Sequence, residues 1–217
     1  MEIFIFIVIA LMVLFIYYFL KQQRYKEPGE RADARNMEEF GEPVKTLYTS
    51  SKVFTLHHRI EITDAEGNVK YRSETKFPSI HDKTDIFTED ERHIAHIERK
   101  LITLHEIHYV DMENGKSFTI SNEIMHIIKD ITNIEELGWR LEGNILGLNF
   151  TIVDENGELL AVVSQKAISL HDKYSVGIYK PEYEEEVVAI LITLQHMIND
   201  REVSSSVSSG SSSSSGQ

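Results

Sequence analysis

Two short stretches of the sequence combine side chains that could do acid–base chemistry. "SIHDK" occupies residues 79–83, and "SLHDK" occupies residues 169–173. A serine, a histidine and an aspartate can form a nucleophile that is activated by a base, as in many hydrolases. The members of such a triad meet through the fold, however, and not inside one tight turn. Adjacency in five positions therefore does not predict catalysis.

The match between these stretches extends backwards along the chain at a constant offset of ninety residues. A third, shorter copy, "KLITLH", occupies residues 100–105. One active site needs a single set of catalytic residues, whereas a β-hairpin unit that is repeated along the chain produces several copies of one motif. We therefore interpret the stretches as strand ends and turns, with no catalytic residue. The further aligned pairs are Ile62 with Ile152, Asp64 with Asp154, Gly67 with Gly157, and Lys76 with Lys166.

Ten histidines and no cysteine limit the other kinds of chemistry. The absence of cysteine excludes disulfides, zinc–thiolate sites and a cysteine nucleophile. Residues i and i+3 of a strand point to opposite faces, so we expect that neither His93 with His96 nor His105 with His108 binds a metal ion from one strand. A site built across the sheet from His105, His171 and Asp172 is the alternative that would make a metal-dependent enzyme. Our prediction is a protein without catalytic residues, metal or cofactor.

The charge balance bears on the partners of the chain. The formal net charge is −13, which argues against broad nucleic-acid binding. The first 36 residues carry five basic and four acidic side chains, so the remainder carries about −14. We predict no nucleic-acid partner.

The N-terminus is predicted to be a membrane anchor. Residues 1–20 contain an uncharged, overwhelmingly apolar run from Ile3 to Leu20, just long enough to cross a hydrocarbon core of roughly 30 Å. A cleaved signal peptide is the alternative, but Glu2 replaces the basic start that such peptides need. Lys21, Arg24 and Lys26 follow the run, and the positive-inside rule then places the bulk of the protein in the cytoplasm. The prediction is a single-pass protein of the cell membrane.

The rest of the chain divides into three parts. Residues 21–45 contain proline and glycine among charged residues and predict a juxtamembrane linker. Residues 46–200 form one domain of eleven or twelve short strands, with "DAEGN", "MENGK" and "DENGE" as turns, a spacing typical of a barrel or sandwich. Residues 201–217 are rich in serine and predict a disordered tail.

One segment of the domain predicts a helix. Pro181 suits the first turn of a helix, and glutamates follow it where they favour the helix dipole. The next residues are apolar on every face, yet too few to cross a bilayer, so this helix must be buried in protein. We predict a single central helix enclosed by the strands. The predicted buried residues are Val187, Val188, Ala189, Ile190, Leu191, Ile192 and Leu194.

Several features of residues 149–198 form a distinctive series. They are Asp154, Gly157, Ala161, Lys166, Ser169, the strand "DKYSV" at residues 172–176, and the helix containing Ala189 and Leu191. With these features the segment resembles the LURP-one-related family, whose fold is similar to the tubby C-terminal domain and to phospholipid scramblases. The resemblance extends more loosely over residues 46–200. It implies a mainly β fold, a closed barrel of about twelve strands around a central hydrophobic C-terminal helix.

The resemblance implies a non-enzymatic module that binds a lipid, a small ligand or a protein partner at the membrane surface. Tubby-like domains are associated with membrane phosphoinositides, bound through surface lysine and arginine, although a net charge near −14 opposes an anionic surface. The candidate contacts are Lys76, Lys83, Lys166 and Lys173. An interaction scaffold that docks a basic partner on its acidic surface, without lipid binding, is the alternative.

Overall fold

The computed structural model describes residues 38–51, 59–76, 83–102, 105–121, 131–166 and 173–209. These residues form twelve β-strands, two short 3-10 turns (Glu135–Leu137 and Pro181–Tyr183) and one long α-helix, α1 (Glu184–Ser209). The strands are β1 Lys45–Ser51, β2 Ile60–Thr63, β3 Val69–Lys76, β4 Lys83–Thr88, β5 His93–Ile102, β6 His105–Met112, β7 Ser117–Ser121, β8 Ile131–Ile134, β9 Trp139–Asn144, β10 Asn149–Val153, β11 Leu159–Lys166 and β12 Lys173–Ile178.

All twelve strands belong to one antiparallel sheet that curls into a nearly closed barrel. The strand order is β7-β6-β5-β4-β3-β2-β1-β12-β11-β10-β9-β8, so the pairing of β1 with β12 joins two meanders. The edge strands β7 and β8 lie next to each other at the seam. There the Thr119 hydroxyl donates a 2.6 Å hydrogen bond to Glu136 in the turn after β8. The predicted mainly β fold is confirmed.

The ninety-residue repeat is visible as two equivalent three-strand units. The units β2–β3–β4 and β10–β11–β12 each carry a register shift in the first hairpin, after Ile62 and after Ile152. In both turns the glycine, Gly67 or Gly157, has a positive φ and donates its N–H to the preceding aspartate carbonyl. Glycine is favoured there because a Cβ is strained in the left-handed region. Residues 79–82 and 169–172, which hold most of the two pentapeptides, lie outside the described residues.

The helix α1 fills the interior of the barrel. Its residues from Val187 to Leu194 are at most 1% exposed, and burial continues to Met197. Inward-facing strand residues such as Leu47 and Ile86 complete the core around it. A helix with no polar face is stable here because the sheet surrounds it on all sides.

The helix extends further than the sequence predicted. It continues through Ser209, whereas the serine-rich composition predicted a disordered tail from residue 201. Each residue added to an existing helix forms a backbone hydrogen bond without the cost of starting a new helix. A helix that is already held by packing can therefore extend into residues of modest helix propensity. The composition of the tail could not report this effect.

The predicted anchor at residues 1–20, with Lys21, Arg24 and Lys26 behind it, lies outside the described residues. Within the described part of the chain, no helix has both the length and the hydropathy that crossing a membrane requires.

Candidate binding surface at the lysine end

The four candidate lysines lie at one end of the barrel. Lys76 is opposite Lys83 at the open end of the β3–β4 hairpin, and Lys166 is opposite Lys173 at that of the β11–β12 hairpin. Consecutive strands run in alternating directions, so both hairpins have these residues at the same end. We call this the lysine end, defined by Lys76, Lys83, Lys166 and Lys173.

Two like charges directly opposite each other in a sheet are unfavourable. The lysine end contains this arrangement twice, at equivalent positions of the repeat. Of these four residues, Lys83 has its side chain in the described part of the structure. It is 46% exposed, and its Nζ lies 3.7 Å from a Glu98 carboxylate oxygen, a long and solvated contact. An anion held near these residues would relieve the repulsion between them.

The opposite end of the barrel carries most of the negative charge. Six connections meet there, and we call this region the acidic end. Together they hold fifteen acidic side chains against three basic ones. The chain's net charge of −13 is thus concentrated at one end, away from the candidate lysines. The six connections are residues 64–68, 89–92, 113–116, 135–138, 154–158 and 179–186.

Some of these carboxylates secure the start of α1 in the barrel. Glu184 accepts hydrogen bonds from Lys45 Nζ at 2.6 Å and from the Tyr71 hydroxyl at 2.7 Å. Burial, together with this hydrogen bond to a carboxylate, raises the pKa of Tyr71. Glu186, only 1% exposed, accepts from Lys116 Nζ at 2.6 Å and from the Asn114 amide at 2.9 Å. The function of these contacts is to hold the helix.

Other acidic residues stabilise the turns in which they lie. Backbone N–H groups of Glu158 and Asn156 donate to the Asp154 carboxylate, and these bonds lower the pKa of Asp154. The Asn68 side chain and backbone do the same for Asp64 in the equivalent turn of the repeat, and they lower its pKa.

The expectation that His93 and His96 point to opposite faces is wrong. The β4–β5 register shifts between Ile86 and Phe87, and both imidazoles contact the Asp85 carboxylate. His96 Nδ1 lies 2.6 Å and His93 Nε2 lies 3.4 Å from the same oxygen, Oδ1. A β-bulge inserts an extra residue, which brings residues three apart to the same face.

The histidines nevertheless do not form a metal centre in the part of the chain that the structure describes. No group of three or more His, Asp or Glu side chains is arranged there to hold a metal ion. In the alternative metal site, His171 and Asp172 lie outside the described residues, and His105 is described as a position in β6. His108, in contrast, faces the barrel interior and is 3% exposed.

The sequence led us to name the four lysines as contacts, which stays a prediction, but sequence reasoning missed the separation of charge between the two ends. The signal was present, because every second connection along the chain is rich in aspartate and glutamate. Connections two apart in an up-and-down meander lie at the same end of the sheet. Following that alternation through the sequence would have located the acidic end.

Most of this chain is similar to known proteins. The LURP-one-related family model matches residues 45–195. YxjI of Bacillus subtilis, an uncharacterized protein, is 25% identical over 162 residues, which cover 73% of this chain and 97% of that one. The X-ray structure of an Arabidopsis thaliana protein aligns with a TM-score of 0.46 and 13% identity over 72% of this chain and 93% of that chain. Since the family match spans all twelve strands and the first 12 of the 26 residues of α1, this chain belongs to the LURP-one-related family.

Proposed function

We propose that this chain is a non-enzymatic binding module whose lysine end engages the anionic headgroups of membrane lipids. The observation that carries the proposal is the separation of charge between the two ends. Four lysines in two like-charged pairs lie at one end, and fifteen acidic side chains lie around the other.

Distance decides whether the acidic end opposes such binding. The strands β3 and β11 are each eight residues long, which corresponds to about 26 Å. The Debye length at physiological ionic strength is about 8 Å. A lipid surface at the lysine end is therefore screened from most of the acidic charge, and the total of −13 does not measure the local potential.

We further propose that residues 1–20 anchor the chain in the cell membrane with the barrel in the cytoplasm. Lys21, Arg24 and Lys26 would set that orientation. An anchor supplies a high effective concentration at the bilayer, so a weak intrinsic affinity of the lysine end is sufficient.

The test is flotation of a fragment of residues 38–209, which lacks the predicted anchor, on neutral and anionic vesicles at two salt concentrations. The variant is Lys166→Ala/Lys173→Ala, and the matched control is Lys70→Ala/Lys180→Ala. The control removes the same charge at the acidic end, where these lysines pair with Glu89 and Glu158. At about 1 kcal/mol per lysine near an anionic surface, the lysine-end variant should bind roughly 30-fold more weakly.

The control variant should bind the anionic vesicles within about twofold of the unmodified fragment, because its lysines lie more than a Debye length from the surface. Equal losses in the two variants would show that only total charge matters. A fragment that binds no anionic vesicle at either salt concentration would rule out lipid binding by the barrel.

The acidic end supports a second candidate function, an interaction scaffold for a basic protein partner. Its carboxylates form a dense field of one sign, which favours a cationic polypeptide. Binding of a lysine-rich peptide that weakens with salt, and weakens further in a Glu155→Gln/Glu158→Gln variant, would support the scaffold. Equal binding of the peptide by this variant and by the unmodified protein would rule out the scaffold function.

A further inference from the structure

The turn between β9 and β10 presents an exposed apolar side chain at the lysine end. In residues 145–148, "ILGL", Ile145 and Leu148 are buried, whereas Leu146 is 42% exposed. The other tight turns that the structure describes between paired strands lie at the acidic end. Their central residues are polar, charged or small except for Leu137, which packs against the core.

The local structure of the turn fixes the outward position of Leu146. Leu148 donates its N–H to the Ile145 carbonyl at 3.0 Å, and Gly147 donates to the Asn144 side chain at 2.9 Å. Leu148 has a φ of 46°, a left-handed conformation that a leucine rarely adopts. Packing of Leu148 in the core, where it is 1% exposed, maintains this strained conformation. The turn is therefore held in a shape that leaves Leu146 in solvent.

The position of this turn in the sheet brings apolar and basic residues together. Strand β10 neighbours β11, so the turn lies beside the hairpin end that carries Lys166 and Lys173. Ile131, the first residue of β8, is 52% exposed at the same end of the barrel. An exposed leucine on a turn beside two lysine positions of the neighbouring hairpin suits the boundary between lipid headgroups and acyl chains.

We propose that the 145–148 turn inserts Leu146 into an anionic bilayer, so that the barrel docks on its lysine end with the acidic end turned away. This inference rests on the proposed function and names the docking face and the inserted residue. The part of Leu146 that is now exposed corresponds to a roughly fivefold gain in partitioning when it is buried in lipid. The acidic end adds to the orientation, because an anionic surface repels it.

The experiment uses the full chain incorporated into vesicles with anionic lipid. The protein contains no cysteine, so one introduced cysteine carries an environment-sensitive dye at a single position. The labelled variants are Leu146→Cys, Ile131→Cys and, at the tip of an exposed turn of the acidic end, Asn156→Cys. Lipids that carry a spin-label quencher in the acyl chain report which dye enters the bilayer. Thermal unfolding of each variant verifies that the fold is retained.

The dye at position 146 should shift to shorter wavelength and lose at least half of its emission to the quencher. The dye at position 131 should respond in the same direction, and the dye at position 156 should not respond. Equal responses at 146 and 156, or a response only at 156, would overturn the proposal.

The flotation assay separates this inference from the proposed function. If Lys166→Ala/Lys173→Ala weakens flotation while dyes at 146 and 131 stay unquenched, the lysine end binds headgroups without insertion, and the inference fails alone. If the fragment does not float and neither dye responds, both fail.

Discussion

The hydrogen bond between Tyr71 and Glu184 gives a direct test of how α1 is held in the barrel. We predict that Tyr71→Phe destabilises the fold, since the Tyr71 hydroxyl donates at 2.7 Å to a carboxylate whose side chain is 10% exposed. Hydrogen bonds to charged groups contribute about 1.5–3 kcal/mol. Lys45 still pairs with Glu184 in the variant, so we expect a loss near the lower limit, about 1.5–2 kcal/mol.

For a domain of this size, that loss corresponds to a decrease in Tm of about 3–8 °C. The matched control is Tyr179→Phe, because the Tyr179 hydroxyl donates at 2.9 Å to the exposed Gly41 carbonyl. The control should change stability by less than about 0.5 kcal/mol.

The assay is urea unfolding followed by fluorescence of Trp139, the single tryptophan in the chain. Its ring lies 5.4 Å from that of Tyr183, directly before α1, so its emission reports the docking of the helix start. Indistinguishable unfolding midpoints for the two tyrosine variants would refute the claim that the buried hydrogen bond secures the helix.

Three further predictions follow from the described contacts. Because the pKa of Tyr71 is raised in the folded protein, the unfolded chain ionises first as pH rises past 10. The contribution of Tyr71 to stability is therefore complete below pH 10 and is lost above pH 10. Between pH 9 and pH 11, the urea midpoint of Tyr71→Phe should fall less than that of the unmodified protein. The pKa values of Asp64 and Asp154 are lowered in the folded protein, so these carboxylates stabilise the fold above pH 3.8. That stabilisation is lost as pH falls through their folded pKa values. In Asp64→Asn/Asp154→Asn, stability measured by circular dichroism should therefore depend less on pH in the acid range. Gly143→Ala should lower the Tm more than Gly157→Ala does, although both glycines have a positive φ. A Cβ at position 143 would lie 2.8 Å from the Asn149 carbonyl oxygen, whereas a Cβ at position 157 would meet nothing within 4 Å.

The hairpins could be predicted from sequence because their causes are local. Gly67 and Gly157 must adopt positive φ three residues after an aspartate that accepts turn hydrogen bonds. Both features are legible in "DAEGN" and "DENGE". The central helix was also predictable, since Val187–Leu194 has no face that tolerates water.

The contacts that the sequence did not predict depend on the register between strands. His93 and His96 meet at Asp85 because of a bulge, and strict alternation of residues cannot locate a bulge. Glu184 pairs with Tyr71 across 113 positions of the chain. From the residues next to Glu184 in the sequence, we could infer only that its charge interacts favourably with the helix dipole.

The position of α1 after all twelve strands has a consequence for biosynthesis. The ribosome releases all twelve strands before the helix that fills the barrel. Strand β1 pairs with β2 on one side, and its second partner, β12, is synthesised last of the strands. Until then, inward residues such as Leu47 and Ile86 have nothing to pack against, and the sheet has unpaired edges. Folding of this barrel is therefore completed only after α1 has emerged from the ribosome. A chain interrupted before residue 184 is expected to be a substrate for chaperones and proteases, not a smaller version of the same fold.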